Sequence, residues 1–244
     1  MKRITWKKRA AIAAACIAGI LAIAFFIYTA RYYHADASAM QALESSETVQ
    51  VRKEQNCYFF DGPGEKTAYV FYPGAKVETE SYASLVRRIA EGGIDVFLTD
   101  MPFHLAFFGM NRAGQIIENH TEYESWFIGG HSLGGAMAAN YAAGHADLFD
   151  GAILFASYPT KSLQKDGFRV FSFYGSEDLV LNRSSLEKGR AYMPEDYTEV
   201  EIAGGNHAQF GNYGEQKGDG SASISAEEQQ KKAVDVIEES IAVR

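Results

Sequence analysis

Continuous apolar segments alternate with amphipathic helical stripes along most of the chain. Seven short segments rich in β-branched and aromatic residues predict strands at residues 57–60, 67–72, 95–99, 126–129, 151–158, 168–174 and 197–203. Apolar residues at helical spacing predict helices at residues 82–89, 113–120, 133–143 and 184–193, and a last helix opened by Ser225. Strands that are apolar throughout and alternate with helices are typical of a mostly parallel sheet covered on both faces. A chain of 244 residues has room for one large domain of this kind.

One apolar segment near the N-terminus differs from the others, because residues 10–30 contain no charged side chain. A helix of this length spans the hydrocarbon core of a bilayer, which is about 30 Å thick. Residues 1–9 hold five basic side chains and no acidic one, which predicts a cytoplasmic N-terminus. We therefore expect a basic cytoplasmic tail at 1–9, a single-pass transmembrane signal anchor at 10–30, a polar linker at 31–54 and an extracytoplasmic folded domain at 55–244.

A cleaved signal peptide is the alternative interpretation of this segment. Ala37-Ser38-Ala39 has the small-x-small form of a cleavage site. The apolar run is longer than the roughly 7–15 residues that are usual in signal peptides, which favours an anchor in the cell membrane. In both interpretations the body of the protein lies outside the cytoplasm.

Charge and cysteine content narrow the range of partners. The formal charge is −8, and outside residues 1–9 only 18 basic side chains stand against 31 acidic ones. A body this acidic repels phosphate backbones, so we expect no nucleic-acid partner. Cys16 and Cys57 form no disulfide framework and no Cys/His cluster has zinc spacing, so we expect neither a metal nor another cofactor. The oligomeric state is left open.

A candidate nucleophile follows the strand predicted at 126–129. Ser132 lies in Gly130-His131-Ser132-Leu133-Gly134, which has the G-x-S-x-G spacing and opens the next helix. A strand-to-helix turn this tight needs small residues two positions before and two positions after the serine, and it exposes the serine hydroxyl at the edge of the sheet. The plainer alternative is a serine that caps a glycine-rich helix start.

A serine nucleophile needs a histidine base and an acid that orients this base. Only His145 and His207 follow Ser132, and His145 ends the same predicted helix, roughly 20 Å away along its axis. His207 follows the last predicted strand, and enzymes of the α/β-hydrolase fold carry Ser, acid and His in this chain order. The acid follows the strand before it, where Asp178 is preferred and Glu177 is kept in reserve.

An oxyanion hole requires two backbone N–H donors. We expect Leu133 to supply one, and Gly74 or Ala75, after the strand at 67–72, to supply the other. Only nine residues, 159–167, join two strands where many enzymes of this fold insert a lid, so we expect an open site without a large lid domain.

Apolar side chains after the strand at 95–99 are candidates for a substrate pocket. The four candidates are Phe103, Leu105, Phe107 and Phe108. Packing of the same side chains into the core is an equally good interpretation.

Five stretches of the sequence resemble the small bacterial α/β-hydrolases of the fold-5 type, which are grouped with dienelactone-hydrolase-like sequences. These stretches are YPGAKVE, MPFHLAFF, IGGHSLGGAMAANYA, FYGSED and GGNHAQFGNYG, and the resemblance covers about residues 56–240. It implies a three-layer α/β sandwich around an eight-stranded type of sheet, and hydrolysis by a triad of Ser132, Asp178 and His207. Ser132 stands where dienelactone hydrolases carry a nucleophilic cysteine, which argues against a dienelactone substrate.

We therefore expect a membrane-anchored serine hydrolase that cleaves carboxylic ester or thioester bonds through an acyl-enzyme. Its partners are expected to be a small-molecule ester and, through residues 10–30, the membrane. One alternative is a non-catalytic binding module of the same fold at the cell surface, against which the complete set of Ser, acid and His argues. Another is an acyltransferase that uses the same triad, against which an open, water-accessible site argues.

Overall fold

The chain forms two compact units, Met1–Tyr32 and Tyr33–Arg244, and the computed structural model describes residues 5–241 of it. The first unit holds helix α1 (Trp6–Thr29), which is long and apolar enough to cross a membrane, as the sequence predicted. Because α1 begins at Trp6, the last four residues of the predicted tail 1–9 are helical. Residues 1–4 of that tail and the last three residues of the predicted domain lie outside the described residues.

The second unit is built on one sheet of eight strands within residues 33–241. The strands are β1 (Gln50–Lys53), β2 (Cys57–Asp61), β3 (Thr67–Tyr72), β4 (Asp95–Thr99), β5 (Ser125–His131), β6 (Gly151–Phe155), β7 (Arg169–Gly175) and β8 (Thr198–Ile202). The helices are α2 (Ala37–Gln41), α3 (Ala83–Glu91), α4 (Arg112–Asn119), α5 (Leu133–Gly144), α6 (Arg183–Gly189) and α7 (Ala226–Ile241). The strand order is β1-β2-β4-β3-β5-β6-β7-β8. β2 is antiparallel to both of its neighbours and every other pair is parallel, so the sheet is mostly parallel, as predicted.

Helices cover both faces of the sheet and give the predicted three layers. Along the central strand β3, Tyr69 and Phe71 belong to one hydrophobic core, while Ala68 and Val70 belong to the other. This alternation follows from the period of two in a strand. The apolar sides of α3 and α7 close the first core, and those of α4 and α5 close the second.

All seven predicted strands are present, with ends shifted by at most three residues. β6 ends at Phe155, three residues early, because Ala156 turns the chain with a φ of 45°. β8 is a half-buried edge strand. The sequence analysis missed β1, since this edge strand is polar and three of its four residues are exposed.

The segment expected as a linker, residues 31–54, differs from the prediction. From Tyr33 onwards it belongs to the folded unit, because Tyr33 forms a parallel bridge with Val77 and β1 pairs with β2. Ala39 and Val49 in this segment are fully buried. The pattern of 31–54 is polar overall, and these two isolated apolar residues carried too little signal to reveal that the segment packs on the body.

The parallel strands β3, β5, β6, β7 and β8 all end at one edge of the sheet. The connection between β6 and β7, residues 156–168, contains neither helix nor strand, so no lid domain is inserted there, as predicted. Gly74, Ser132, Asp178 and His207 all follow strand ends at this edge. The topology therefore brings the predicted chemistry to one side of the molecule.

Candidate active site

Ser132 lies in a strained turn between β5 and α5. Its backbone has a φ of 52° and a ψ of −124°, a conformation that residues with a side chain rarely adopt. The Ser132 N–H donates to the Phe155 carbonyl (2.9 Å), which joins the turn to the end of β6. Strain of this kind costs on the order of 1–3 kcal/mol and persists only where the surrounding structure enforces it.

Two glycines explain how the turn can be so tight. A Cβ atom added to Gly130 would lie 2.0 Å from the Tyr72 carbonyl oxygen, and one added to Gly134 would lie 2.1 Å from the same oxygen. Gly130 also has a φ of 142°. The positions two before and two after Ser132 are therefore restricted to glycine by the end of β3, which packs directly against the turn.

Asp178 and His207 form a buried pair beside this turn. His207 Nδ1 lies 2.8 Å from Asp178 Oδ2, and both side chains are almost completely shielded from solvent. Asp178 Oδ1 accepts hydrogen bonds from the Val180 and Leu181 N–H groups, at 2.9 and 2.8 Å. The neighbouring Glu177 instead bonds the Ser176 hydroxyl at an exposed position. Of the two adjacent acids, Asp178 is the one that contacts the histidine.

Two further side chains hold the loop of His207, and the sequence analysis missed both. The Asp219 carboxylate accepts hydrogen bonds from the backbone N–H groups of His207 (3.3 Å) and Ala208 (2.8 Å). The Gln229 amide pairs with the backbone N–H and carbonyl of Asn206, at 2.9 and 2.8 Å. Gln229 is fully buried on the apolar side of α7. Gln229 could have been identified from the sequence, because it is a polar residue on the side of the helix that mainly carries apolar residues.

Ser132 and His207 line one small cavity of about 230 Å³ at the carboxyl edge of the sheet. Its other lining residues are Leu133, Ala136, Ala156, Ser157, Tyr158, Val180, Leu181 and Asn182. Within residues 5–241, Ser132 and His207 share this cavity without a direct hydrogen bond between their side chains. Such contacts commonly tighten only when substrate is bound.

The structure places the four expected pocket residues elsewhere. Phe103, Leu105, Phe107 and Phe108 are absent from the lining of the cavity that holds Ser132. Phe103, Phe107 and Phe108 are 44%, 66% and 48% exposed, so they do not pack into the core either. Six of the ten residues that line this cavity come from the loops after β6 and β7, whose apolar residues are too few and too scattered to stand out in the sequence.

The two expected oxyanion donors differ in their availability. The Leu133 N–H lies at the first residue of α5, where no intrahelical acceptor exists. The Gly74 N–H is already engaged, because it donates to the Tyr82 hydroxyl (3.1 Å). Within the described residues, the Ala75 N–H has no hydrogen-bond acceptor. Of the two positions left open by the sequence, the structure leaves Ala75 as the available donor.

No metal-binding arrangement is found in the described part of the chain. Within residues 5–241, no three His, Cys, Asp or Glu side chains are grouped closely enough to hold a metal ion. The groups that lie at this edge of the sheet are a serine, a buried histidine–carboxylate pair and backbone N–H groups.

A doubly covered, mostly parallel sheet with a serine in a tight turn after β5 defines the α/β-hydrolase class of proteins. The Alpha/beta hydrolase family matches the sequence over residues 68–231, and the chain belongs to this family. Among curated proteins, none is significantly similar to this sequence.

Solved structures of the same fold include three informative neighbours. Est1E from Butyrivibrio proteoclasticus, solved with ferulic acid, has a TM-score of 0.57 and 14% identity, over 81% of this chain and 98% of that chain. The monoacylglycerol lipase of Paleococcus ferrophilus has a TM-score of 0.58 and 16% identity, over 76% and 99% of the two chains. The dienelactone hydrolase of Anabaena variabilis has a TM-score of 0.59 and 11% identity, over 79% and 97%. At these identities the likeness establishes the fold.

The packing of the serine turn against β3 predicts the effect of adding one methyl group. Gly134→Ala should destabilise residues 33–244 by about 2 kcal/mol, or about 6 °C in melting temperature, since its Cβ meets the Tyr72 carbonyl oxygen. Gly144→Ala is the matched control, because Gly144 lies on the same helix with nothing within 4 Å of an added Cβ. The control should melt at the same temperature or slightly higher. Equal melting temperatures in the two variants, measured by circular dichroism, would contradict this account of the turn.

Proposed function

We propose that this protein is a serine hydrolase that cleaves carboxylic ester or thioester bonds through an acyl-enzyme, with Ser132, Asp178 and His207 as its catalytic triad. The observation that carries the proposal is the cavity shared by Ser132 and His207, with His207 bonded to the buried Asp178 carboxylate. Nucleophile, base and orienting acid are the three roles that acyl transfer requires.

The contacts of His207 assign its two ring nitrogens. Nδ1 carries the proton that faces Asp178 Oδ2, which leaves Nε2 as the base. In the proposed reaction Nε2 takes the proton of the Ser132 hydroxyl while the oxygen attacks the substrate carbonyl carbon. The same nitrogen then returns the proton to the leaving alcohol or thiol. In the second half it deprotonates the attacking water and gives that proton to the Ser132 oxygen as the bond to the acyl group breaks.

Negative charge develops on the carbonyl oxygen during each attack. The Leu133 N–H lies at the N-terminus of α5, where the helix dipole adds to its effect. The Ala75 N–H follows β3 and would complete the oxyanion hole. The strained φ occurs at the residue directly before α5, so Ser132 is next in the chain to the first donor.

The fold neighbours support an ester substrate for this chain. Their descriptions include a monoacylglycerol lipase, a dienelactone hydrolase and Est1E with bound ferulic acid. The cavity of about 230 Å³ accommodates a short acyl group, and its walls are mainly apolar. A small-molecule ester or thioester fits these dimensions better than a folded macromolecular substrate.

We also propose that α1 anchors the enzyme in the cell membrane as a single-pass helix, with the N-terminus in the cytoplasm and the catalytic unit outside. The uncharged run at residues 10–30 and the five basic residues before it support this orientation. The length and apolar composition of α1 support the span itself.

Substitution of the triad should abolish ester hydrolysis while neighbouring residues of the same type tolerate change. In p-nitrophenyl acetate to decanoate assays, Ser132→Ala, His207→Ala and Asp178→Asn should each lower kcat by about 10³-fold or more. The matched controls are Glu177→Gln, at the adjacent exposed acid, and His145→Ala, which bonds the Tyr141 carbonyl on α5. Both controls should keep kcat within about threefold. Activity that survives in Ser132→Ala would rule out the proposed nucleophile.

The anchor can be tested by fractionation. The full chain should remain in the membrane fraction after alkaline carbonate extraction, and residues 33–244 alone should be soluble. Protease added to intact cells should digest the catalytic unit, since it lies outside the cytoplasm. An intact mass that lacks the first residues up to Ala39, together with release from the membrane, would instead establish a cleaved signal peptide.

A further inference from the structure

A chain of buried hydrogen bonds links the loop after β3, the serine turn and the loop that carries His207. The Gly74 N–H donates to the Tyr82 hydroxyl (3.1 Å), which lies 2.8 Å from His131 Nδ1. His131 Nε2 lies 3.1 Å from the carbonyl oxygen of His207. Tyr82 is fully buried and His131 is 1% exposed. We call these contacts the Tyr82–His131 relay.

The His207 carbonyl determines which group is the donor and which is the acceptor in each hydrogen bond of the relay. The His207 carbonyl oxygen can only accept, so His131 Nε2 carries the ring proton. Burial lowers the pKa of His131 well below its ordinary value, and the ring is therefore neutral. His131 Nδ1 is then an acceptor, so the Tyr82 hydroxyl donates to it and accepts from the Gly74 N–H.

The fit between Gly74 and the relay is close. A Cβ atom added to Gly74 would lie 2.7 Å from the Tyr82 hydroxyl oxygen and 2.8 Å from His131 Nδ1. The loop after β3 therefore rests directly on these two side chains. Ala75, the next residue, carries the N–H that remains available for an oxyanion, so the position of this donor is set one peptide unit away from the relay.

The neutral state of His131 also matters for the base. The rings of His131 and His207 have their centroids 4.5 Å apart. A second positive charge at this distance would oppose the imidazolium that His207 becomes during acyl transfer. A neutral His131 contributes a hydrogen bond to the His207 main chain without that cost.

We propose that Tyr82 is a positioning residue which, through Gly74, holds the Ala75 N–H in place for the transition-state oxyanion and, through His131, fixes the main chain of His207. This inference rests on the proposed function, because it assigns a role within that reaction. A donor that is displaced by a few tenths of an ångström loses much of its effect on the transition state and little of its effect on substrate binding.

The test compares two tyrosines that share burial and hydrogen bonding. Tyr82→Phe removes the hydroxyl of the relay, and Tyr69→Phe removes an equally buried hydroxyl that donates to the Ile153 carbonyl (2.9 Å) away from the cavity. In the full chain in detergent, Tyr82→Phe should lower kcat for p-nitrophenyl butyrate by about 10–100-fold, with KM changed less than about twofold. Tyr69→Phe should keep kcat within about twofold. A trifluoromethyl ketone, whose serine adduct carries the oxyanion, should bind Tyr82→Phe more weakly by the factor lost in kcat/KM.

A second measurement does not depend on activity. The Gly74 amide should exchange with deuterium at least about tenfold faster in Tyr82→Phe than in wild type or Tyr69→Phe, because it loses its acceptor. If wild type hydrolyses no ester and this amide is still selectively deprotected, the proposed function fails and the relay stands as a structural clamp. Equal kcat in the two tyrosine variants, with wild type active, overturns the positioning role.

If Tyr82→Phe does not fold, a substitution of His131 tests the same proposal. His131→Leu removes both ring nitrogens, so the Tyr82 hydroxyl loses its acceptor and the His207 carbonyl loses its donor. A folded His131→Leu with the wild-type kcat overturns the proposal, and a selective loss of kcat supports it.

Discussion

The hydrogen bond between Asp178 and His207 is the contact around which this edge of the molecule is arranged. A histidine can act as a base only when one ring nitrogen is fixed and the other is free to face the nucleophile. Asp178 achieves this at 2.8 Å, and its other oxygen is held by the Val180 and Leu181 N–H groups. The loop of His207 is held in turn by Asp219 and by Gln229 of α7. Two loops, after β7 and after β8, and helix α7 thus together fix the position of one imidazole ring.

The parallel sheet makes this convergence possible. β3, β5, β7 and β8 end at the same edge, so Ala75, Ser132, Asp178 and His207 all lie at that edge although more than a hundred residues separate the first from the last. The serine turn lies so close to the end of β3 that only glycine fits at positions 130 and 134. The Tyr82–His131 relay then connects the same strand end to the main chain of His207.

The parts of this arrangement that the sequence could predict are those encoded by local pattern. Apolar strands, helical stripes and the G-x-S-x-G spacing were sufficient for the sheet, its helices and the place of Ser132. Chain order then selected His207 and limited the acid to the adjacent pair Glu177 and Asp178, with Asp178 preferred and Glu177 in reserve. Pattern alone could not separate the two acids, and the contact with the histidine is made by Asp178. Such local patterns do not predict contacts between residues that are distant in the sequence. The engagement of the Gly74 N–H by Tyr82, the polar edge strand β1 and the lining of the cavity after β6 and β7 depend on the tertiary packing.

In the proposed mechanism, Ser132 is a nucleophile activated by His207. The most direct measurement is the mass of the protein after treatment with a fluorophosphonate, followed by peptide mapping of the adduct. We expect one adduct, located on Ser132 of the G-x-S-x-G turn, and a rate of labelling at least about 10²-fold slower in His207→Ala. A wild-type protein that stays unlabelled, or an adduct on any other serine, would contradict it.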